Sequence, residues 1–165
     1  DSIEDFTKFL NWIQLWRSYD PKNHAKAQEI LEDLRKRYDD EHTTIYVLEA
    51  WQISQRLGLN LSNNRKEDLE RLEYIINRNI ELHPENSDAY NARAFIGLSH
   101  FGFSCEQAIA DIATAEKNGS NQETILIGSG VYSRCGRVEE AIARLQELRK
   151  MVSITVDLTR YEMKI

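Results

Sequence analysis

Hydrophobic residues recur along the chain at spacings of three and four, the period of an amphipathic α-helix. The first such stretch, about 3–18, has an apolar face made of Phe6, Phe9, Leu10, Ile13 and Trp16. The same period predicts seven further helices, at about 21–38, 43–57, 66–82, 87–101, 105–118, 122–135 and 138–152. In the tail, 153–165, Ile154-Thr155-Val156 favours an extended start followed by a short helix from Leu158. The pattern predicts an all-α protein.

Local signals support these boundaries. Asp20 is a suitable N-cap, and Pro21 fits the first helical position after it. Ser104-x-x-Gln107 is a capping box, and residues 58–65 form a loop-like stretch rich in Asn, Ser and Gly. With only 2 Pro and 7 Gly in 165 residues, the chain has too few turn residues for a many-stranded β fold.

An internal repeat links the helices in pairs. A small residue followed by two large apolar or small residues, at offsets of four and seven, recurs in three places: Ala27/Leu31/Leu34, Ala108/Ile112/Ala115 and Ala141/Leu145/Leu148. The corresponding residues of the second pair are Leu72, Ile76 and Asn79. Ala141 follows Ala108 by 33 residues, a spacing typical of repeats built from two helices.

Two motifs carry a family resemblance. Gly136–Ile142, with Tyr132 four residues before the glycine, is close to the turn and second helix of a tetratricopeptide repeat, and Ile80–Tyr90 is similar to the junction between two such repeats. The chain therefore resembles the tetratricopeptide repeat family, closely over about 66–152 and loosely over 3–57.

Four positions depart from the family pattern. Asn79 occupies a site that is normally small and apolar, Arg93 and Gly128 stand where a large apolar residue is usual, and Ser153 replaces a proline. The resemblance thus implies an α-α superhelix of about four irregular helix pairs. We expect one domain over 1–165.

The first helix pair has a narrower resemblance. Its aromatic helix followed by Tyr19-Asp20-Pro21 and Ala27 is similar to the entry repeat in C-terminal domains of bacterial winged-helix transcriptional regulators and of class III adenylate cyclases. This implies an excised C-terminal module that is not an enzyme, binds a protein or peptide partner and needs no cofactor. The alternatives are a self-association module or the repeat tail of a cyclase. We expect a cytoplasmic location, with the periplasm left open.

Composition and charge exclude other classes. Charged residues make up 29% of the chain and the mean hydropathy is −0.57, so no segment approaches the apolar length of a spanning helix. The chain has a net charge of −6, and its middle, 41–133, holds 13 acidic and 7 basic side chains. Because nucleic-acid affinity depends on clustered Lys and Arg, we expect no direct nucleic-acid binding.

We find no catalytic or metal-binding constellation. The four histidines never have the spacing of a helical metal site, and the chain has no glycine-rich phosphate loop. Gly128-Ser129-Gly130 falls inside a helical pattern, which favours a close-packing role for the serine. We therefore predict no enzymatic site.

Two further predictions concern Cys and Trp. Cys105 and Cys135 are expected to remain free thiols, because neighbouring helix pairs stack about 10 Å apart, further than a disulfide spans. Most tryptophans are expected in a core between the first two helix pairs. Trp12 lies off the main apolar stripe, and we keep a role as a partner-facing anchor open for it.

The family resemblance also implies a binding groove lined by the first helices of successive pairs. The residues expected there are Asp88, Asn91, Phe95, Glu123, Leu126 and Arg134. Since this set carries both signs of charge, it suits a mixed-charge peptide better than an anion. If the chain instead associates with itself, we expect the contact at the aromatic first pair or at the apolar tail residues Leu158, Tyr161, Met163 and Ile165.

Overall fold

The computed structural model describes residues 3–38 and 42–162, and for 152–162 it describes only the helical backbone. This part of the chain contains eight α-helices and no strand, so the all-α prediction is confirmed. The helices are α1 (Ile3–Trp16), α2 (Pro21–Arg35), α3 (Thr43–Gly58), α4 (Arg65–Leu82), α5 (Ser87–His100), α6 (Cys105–Gly119), α7 (Gln122–Arg134) and α8 (Val138–Glu162).

The predicted caps are present. Asp20 accepts a hydrogen bond from the Lys22 amide at the start of α2. Ser104 and Gln107 form the reciprocal capping box of α6, with donor–acceptor distances of 2.9 and 3.2 Å. Each bond satisfies an amide that the helix itself leaves unpaired, which explains why the starts of these helices could be read from sequence.

The expectation of an extended segment near Ile154 is wrong. α8 continues unbroken from Val138 to Glu162. The β-branched run has only a weak preference against helix, and no Gly or Pro follows Leu148 to end it. Of the apolar tail residues, Met163 and Ile165 lie outside the described residues, and the side chains of Leu158 and Tyr161 lie outside the described side chains.

The chain divides into two compact units, Asp1–Glu85 and Asn86–Ile165, called unit 1 and unit 2 below. Within unit 1, α2 packs on both α1 and α3, and α3 packs on α4. Within unit 2, α5 packs on α6 and α7, α6 packs on α7, and α7 packs on α8. Helices that follow one another in sequence therefore pair within each unit.

The core of unit 1 combines aliphatic residues with a group of three tryptophans, of which Trp12 is buried and Trp16 and Trp51 are partly buried. Trp12 stacks on Trp16 with ring centroids 5.5 Å apart, and Trp16 contacts Trp51 with centroids 5.8 Å apart. Trp12 is only 2% exposed. The alternative in which Trp12 faces a partner is therefore wrong, because α1 presents this ring, and not its Phe6–Leu10 edge, to α2 and α3.

Buried polar groups complete the core of unit 1. His24 Nδ1 lies 3.3 Å from Gln55 Oε1 and 3.1 Å from Gln52 Nε2, and His24 Nε2 lies 3.3 Å from the same Gln52 Nε2. Burial lowers the pKa of His24, and its neutral ring can both donate to Gln55 and accept from Gln52. Burial alone would raise the pKa of Glu49, but Arg71 and Arg35 outweigh it and hold the pKa below its ordinary value.

The core of unit 2 is built from small residues. Its central cluster contains Ala94, Ala108, Ile112, Val131, Tyr132 and Ala141. Gly97 lies directly under the Phe103 ring, where a Cβ would overlap the aromatic carbons, and a Cβ on Gly128 would be 3.1 Å from Ile112. Ser129 is buried inside α7, where its hydroxyl donates to the Leu126 carbonyl, so the close-packing prediction for Gly128-Ser129-Gly130 is confirmed.

The prediction of free thiols is wrong. Cys105, the first residue of α6, forms a disulfide with Cys135, the residue that caps α7, and their Cα atoms are 5.6 Å apart. The expected separation of about 10 Å applies between helix axes. Both cysteines are at helix ends, where the backbone leaves the axis and can approach a neighbouring helix.

Candidate binding surface

Unit 2 contains two helix pairs, α5 with α6 and α7 with α8. The first helices of these pairs, α5 and α7, lie side by side and run in the same direction. Near their starts, Asn91 contacts Thr124, and near their ends Ser99 contacts Arg134. Between these points, a Cβ on Gly130 would lie 3.9 Å from the Phe95 ring. The two helices thus form one continuous face.

A hydrogen-bonded chain fixes the start of this face. Asn91 donates from Nδ2 to Thr124 Oγ1 over 3.0 Å, and Thr124 Oγ1 in turn donates to Asn121 Oδ1 over 3.2 Å. Asn121 also caps α7 by accepting from the Thr124 amide. Asn91 is 1% exposed and its Oδ1 has no hydrogen-bond partner. This asparagine therefore holds the two helices together from beneath the surface.

Asp88 lies one helical turn before Asn91. Its Oδ1 is buried without a hydrogen-bond partner. Burial raises the pKa of Asp88, and a hydrogen bond from Asn91 opposes the rise only in part. A desolvated carboxyl group of this kind gains from any donor that reaches it, because an unpaired buried acceptor is costly.

A cation marks the other end of the face. The Arg134 guanidinium lies over the Phe95 ring, with Cζ 4.1 Å from the centroid, and it donates to Ser99 Oγ over 2.5 Å. Arg134 is nevertheless exposed. Since a guanidinium has five N–H donors, this group is oriented by its neighbours and still open to an acidic ligand.

The six residues predicted from sequence occupy this part of unit 2 in different ways. Glu123 and Leu126 are on α7 with exposed side chains, and Leu126 is 47% exposed. Arg134 is also exposed, Asp88 and Phe95 are half-buried, and Asn91 is buried. The structure connects Asn91 to α7 at one end and Phe95 to Arg134 at the other.

Sequence reasoning missed the residues that hold this face in place. Thr124, Ser99 and Gly130 each contact one of the predicted residues. Their offsets from their partners are 33 to 35 residues, so the repeat spacing was the available signal. Searching for polar or small residues one repeat away from each groove position would have found them.

Arg93 explains one departure from the family pattern. It makes two hydrogen bonds to the Asp111 carboxylate, of 2.8 and 2.6 Å, which join α5 to α6. Asp111 is 6% exposed, and the ion pair raises the pKa of Arg93. A bidentate pair thus replaces the apolar contact expected at this position.

A second concavity lies in unit 1, between α1, the end of α2 and the start of α3. It encloses about 260 Å³ and has an apolar lining that includes Phe6, Phe9 and Ile45. Two of its polar lining residues are bonded to each other, since Tyr38 donates to Asp5 over 3.3 Å, and Arg37, outside the lining, donates to the same carboxylate over 2.9 Å.

A metal-binding cluster and a membrane-spanning helix are both absent from the part of the chain that the structure describes. No cluster of three or more His, Cys, Asp or Glu side chains there could hold a metal ion. Among the helices of residues 3–38 and 42–162, none has both the length and the apolar character needed to span a membrane. Comparison with known proteins adds no relative: no family model and no curated protein matches the chain.

Proposed function

We propose that the chain is a non-catalytic protein-interaction module of tetratricopeptide type that binds a mixed-charge peptide on the α5/α7 face. The observation that carries the proposal is the pair of contrasting ends: an exposed, oriented guanidinium at Arg134 and a desolvated carboxyl at Asp88. The exposed side chain of Leu126 offers an apolar contact to the same ligand.

The dimensions of the face suit a short extended peptide. Asp88 and Ser99, the α5 residue bonded to Arg134, are 11 residues apart in sequence. At 1.5 Å per residue along a helix, this separation is ~16 Å. An extended peptide rises ~3.3 Å per residue, so about five residues would bridge the two ends. We expect an acidic group near Arg134 and an N–H donor or a cation near Asp88.

The wider setting is proposed from the resemblance. The motifs at Gly136–Ile142 and Ile80–Tyr90 support a repeat module, and the resemblance of the first pair supports the C-terminal, partner-binding part of a bacterial transcriptional regulator. The Cys105–Cys135 disulfide favours an oxidising compartment. We therefore propose a periplasmic location, the alternative left open from sequence, in preference to the cytoplasmic one expected there.

The proposal is tested with peptides selected from a random library displayed on phage, measured against the purified chain by calorimetry. Arg134→Glu should weaken the selected mixed-charge peptides at least about tenfold, because it replaces an attraction with a repulsion at an oriented site. Lys150→Glu, the same charge change at an exposed position on α8, is the matched control and should leave the affinity unchanged. Equal affinity for wild type and Arg134→Glu would remove this face from consideration.

A further inference from the structure

The disulfide of unit 2 lies at the Arg134 end of the α5/α7 face. Cys135 directly follows Arg134 in sequence and caps α7. Cys105 begins α6, six residues after Ser99, which accepts the hydrogen bond from Arg134. The chain segment between Ser99 and Cys105, the disulfide and the end of α7 thus form a small ring that the hydrogen bond from Arg134 closes.

Backbone contacts order the chain on both sides of the disulfide. In the turn between α5 and α6, Phe103 donates its amide N–H to the Gly97 carbonyl over 3.1 Å, and its ring covers the same glycine. At the end of α7, the Cys135 amide donates to the Val131 carbonyl over 3.1 Å. Because both ends are ordered up to the cysteines, the covalent link restricts how the last turn of α7, which carries Arg134, can move relative to α5.

The disulfide is accessible to a reaction partner. Cys105 and Cys135 are both half-buried, and neither belongs to the central cluster of the unit 2 core. Thiol–disulfide exchange requires that an attacking thiol reach a sulfur of the bond. The residues next to the two cysteines in sequence are all exposed: Ser104, Glu106, Arg134 and Gly136.

We propose that the Cys105–Cys135 disulfide is a redox switch that sets the orientation of Arg134, and through it the affinity of the α5/α7 face for acidic groups. In the oxidised chain, the ring holds the guanidinium over Phe95 and against Ser99. Reduction opens the ring. The affinity then falls, because the guanidinium loses more conformational freedom when a ligand binds. This inference rests on the proposed function, since it concerns the regulation of the same face.

The reductant is a dithiol. One of its thiolates attacks Cys135 Sγ and forms a mixed disulfide, while the bond between the two cysteines breaks and Cys105 leaves as a thiolate. The N-terminal end of α6 stabilises this leaving thiolate electrostatically. The second thiolate of the reductant then attacks the reductant sulfur of the mixed disulfide, which releases Cys135 and leaves the reductant as a disulfide. Two electrons pass to the chain, and its two thiolates take up the two protons that the reductant released.

The test compares oxidised and reduced wild type by calorimetry, with mixed-charge peptides selected on the oxidised chain. Reduction with a dithiol should weaken binding about three- to tenfold. In Arg134→Ala, reduction should change the affinity by less than about twofold, because no guanidinium is left to orient. The matched control carries Cys105→Ser and Cys135→Ser together, and it should bind like the reduced wild type with or without the dithiol. Circular dichroism checks that every form keeps its helices.

A second measurement needs no peptide. The Arg134 Nε–H signal, identified by its loss in Arg134→Ala, should have a high heteronuclear Overhauser effect in the oxidised chain and a lower one after reduction. If no selected peptide binds, the proposed function is wrong, and this signal alone decides whether the disulfide orients Arg134. An Overhauser effect that reduction leaves unchanged would overturn the inference. So would equal affinities of oxidised and reduced wild type, an equal loss in Arg134→Ala, or a dithiol effect that persists in the serine variant.

Discussion

Unit 1 and unit 2 bury similar helix faces with different side chains. Unit 1 fills its core with Trp12 and Trp16 and satisfies buried polar groups around His24. Unit 2 places Ala, Gly and Ser where its helices meet, and a disulfide joins α6 to α7. Small residues let helices approach closely and in a repeated geometry, whereas large rings make each contact specific to its place. The repeat-like part of the chain is accordingly unit 2.

Because of this difference, the stability of each unit should depend on different conditions. The buried histidine and the buried Glu49 with its two arginines make the stability of unit 1 depend on charge state. The covalent link and the glycine contacts make unit 2 the part that depends on oxidation and on exact side-chain volume. The predictions below test this assignment, from the largest expected effect to the smallest.

Removing the central ring of unit 1 should have the largest effect. Trp12→Ala is expected to lower the free energy of unfolding of unit 1 by about 3–5 kcal/mol, because it leaves a large cavity. All three tryptophans of the chain, Trp12, Trp16 and Trp51, are in unit 1, so urea unfolding followed by the remaining tryptophan fluorescence measures this unit. The control Phe6→Ala, at a ring that is 62% exposed, should cost no more than about 0.5 kcal/mol. Equal losses would contradict the described core.

Breaking the disulfide should destabilise unit 2. The bond joins residues 30 apart in sequence. Removing a cross-link that closes a loop of this size lowers the free energy of unfolding by about 2–4 kcal/mol. Replacing Cys105 and Cys135 together with serine should therefore speed amide hydrogen exchange throughout α6 and α7, measured by mass spectrometry. Adding a reductant to the wild type should reproduce the result. Unchanged exchange in both experiments would show that the bond contributes nothing.

Adding one methyl group to a helical glycine should destabilise unit 2 but not unit 1. Gly97→Ala is expected to cost about 1–3 kcal/mol in unit 2, because the new Cβ overlaps the Phe103 ring. Gly58→Ala, at the end of α3 in unit 1, meets no atom within 4 Å. There the change should be neutral or stabilise by up to about 1 kcal/mol. Thermal unfolding of both variants measures the contrast, and a harmless Gly97→Ala would refute the close contact.

Acidification should act on unit 1 through His24. Because burial lowers the pKa of His24, the unfolded chain binds a proton at pH values where the folded chain does not. The stability that this group contributes is complete above its ordinary pKa of 6.5 and falls as the pH drops towards the lower folded value. His24→Gln should flatten this slope in urea titrations followed by tryptophan fluorescence. The control His100→Gln, in unit 2, should leave the slope intact.

Much of this architecture could be predicted from sequence because it depends on local signals. The period of the apolar residues and caps such as Asp20 and Ser104 define the helices within a few residues, except at the end of α8, which continues to Glu162. Tertiary contacts had no such signal. Nothing local shows that Trp12 is the ring turned into the core, that Cys105 meets Cys135, or that Arg93 finds Asp111. Each of these depends on how one helix is rotated against another.

The candidate surface was likewise only partly predictable from sequence. The repeat spacing predicted that the first helices of successive pairs line it and that Asp88 and Arg134 are among its residues. It did not distinguish the exposed Leu126 from the buried Asn91, because burial on a first helix is decided by the neighbour at the next repeat, here Thr124.

The most direct test of the proposed function is a map of the binding site by nuclear magnetic resonance. The isotope-labelled chain is titrated with a peptide selected from the random library, and the amide shifts are followed. The account predicts changes concentrated on α5 and α7, around Phe95, Ser99, Leu126 and Arg134, and their loss in Arg134→Glu. Shift changes confined to α1–α4, or equally large in Arg134→Glu, would contradict it.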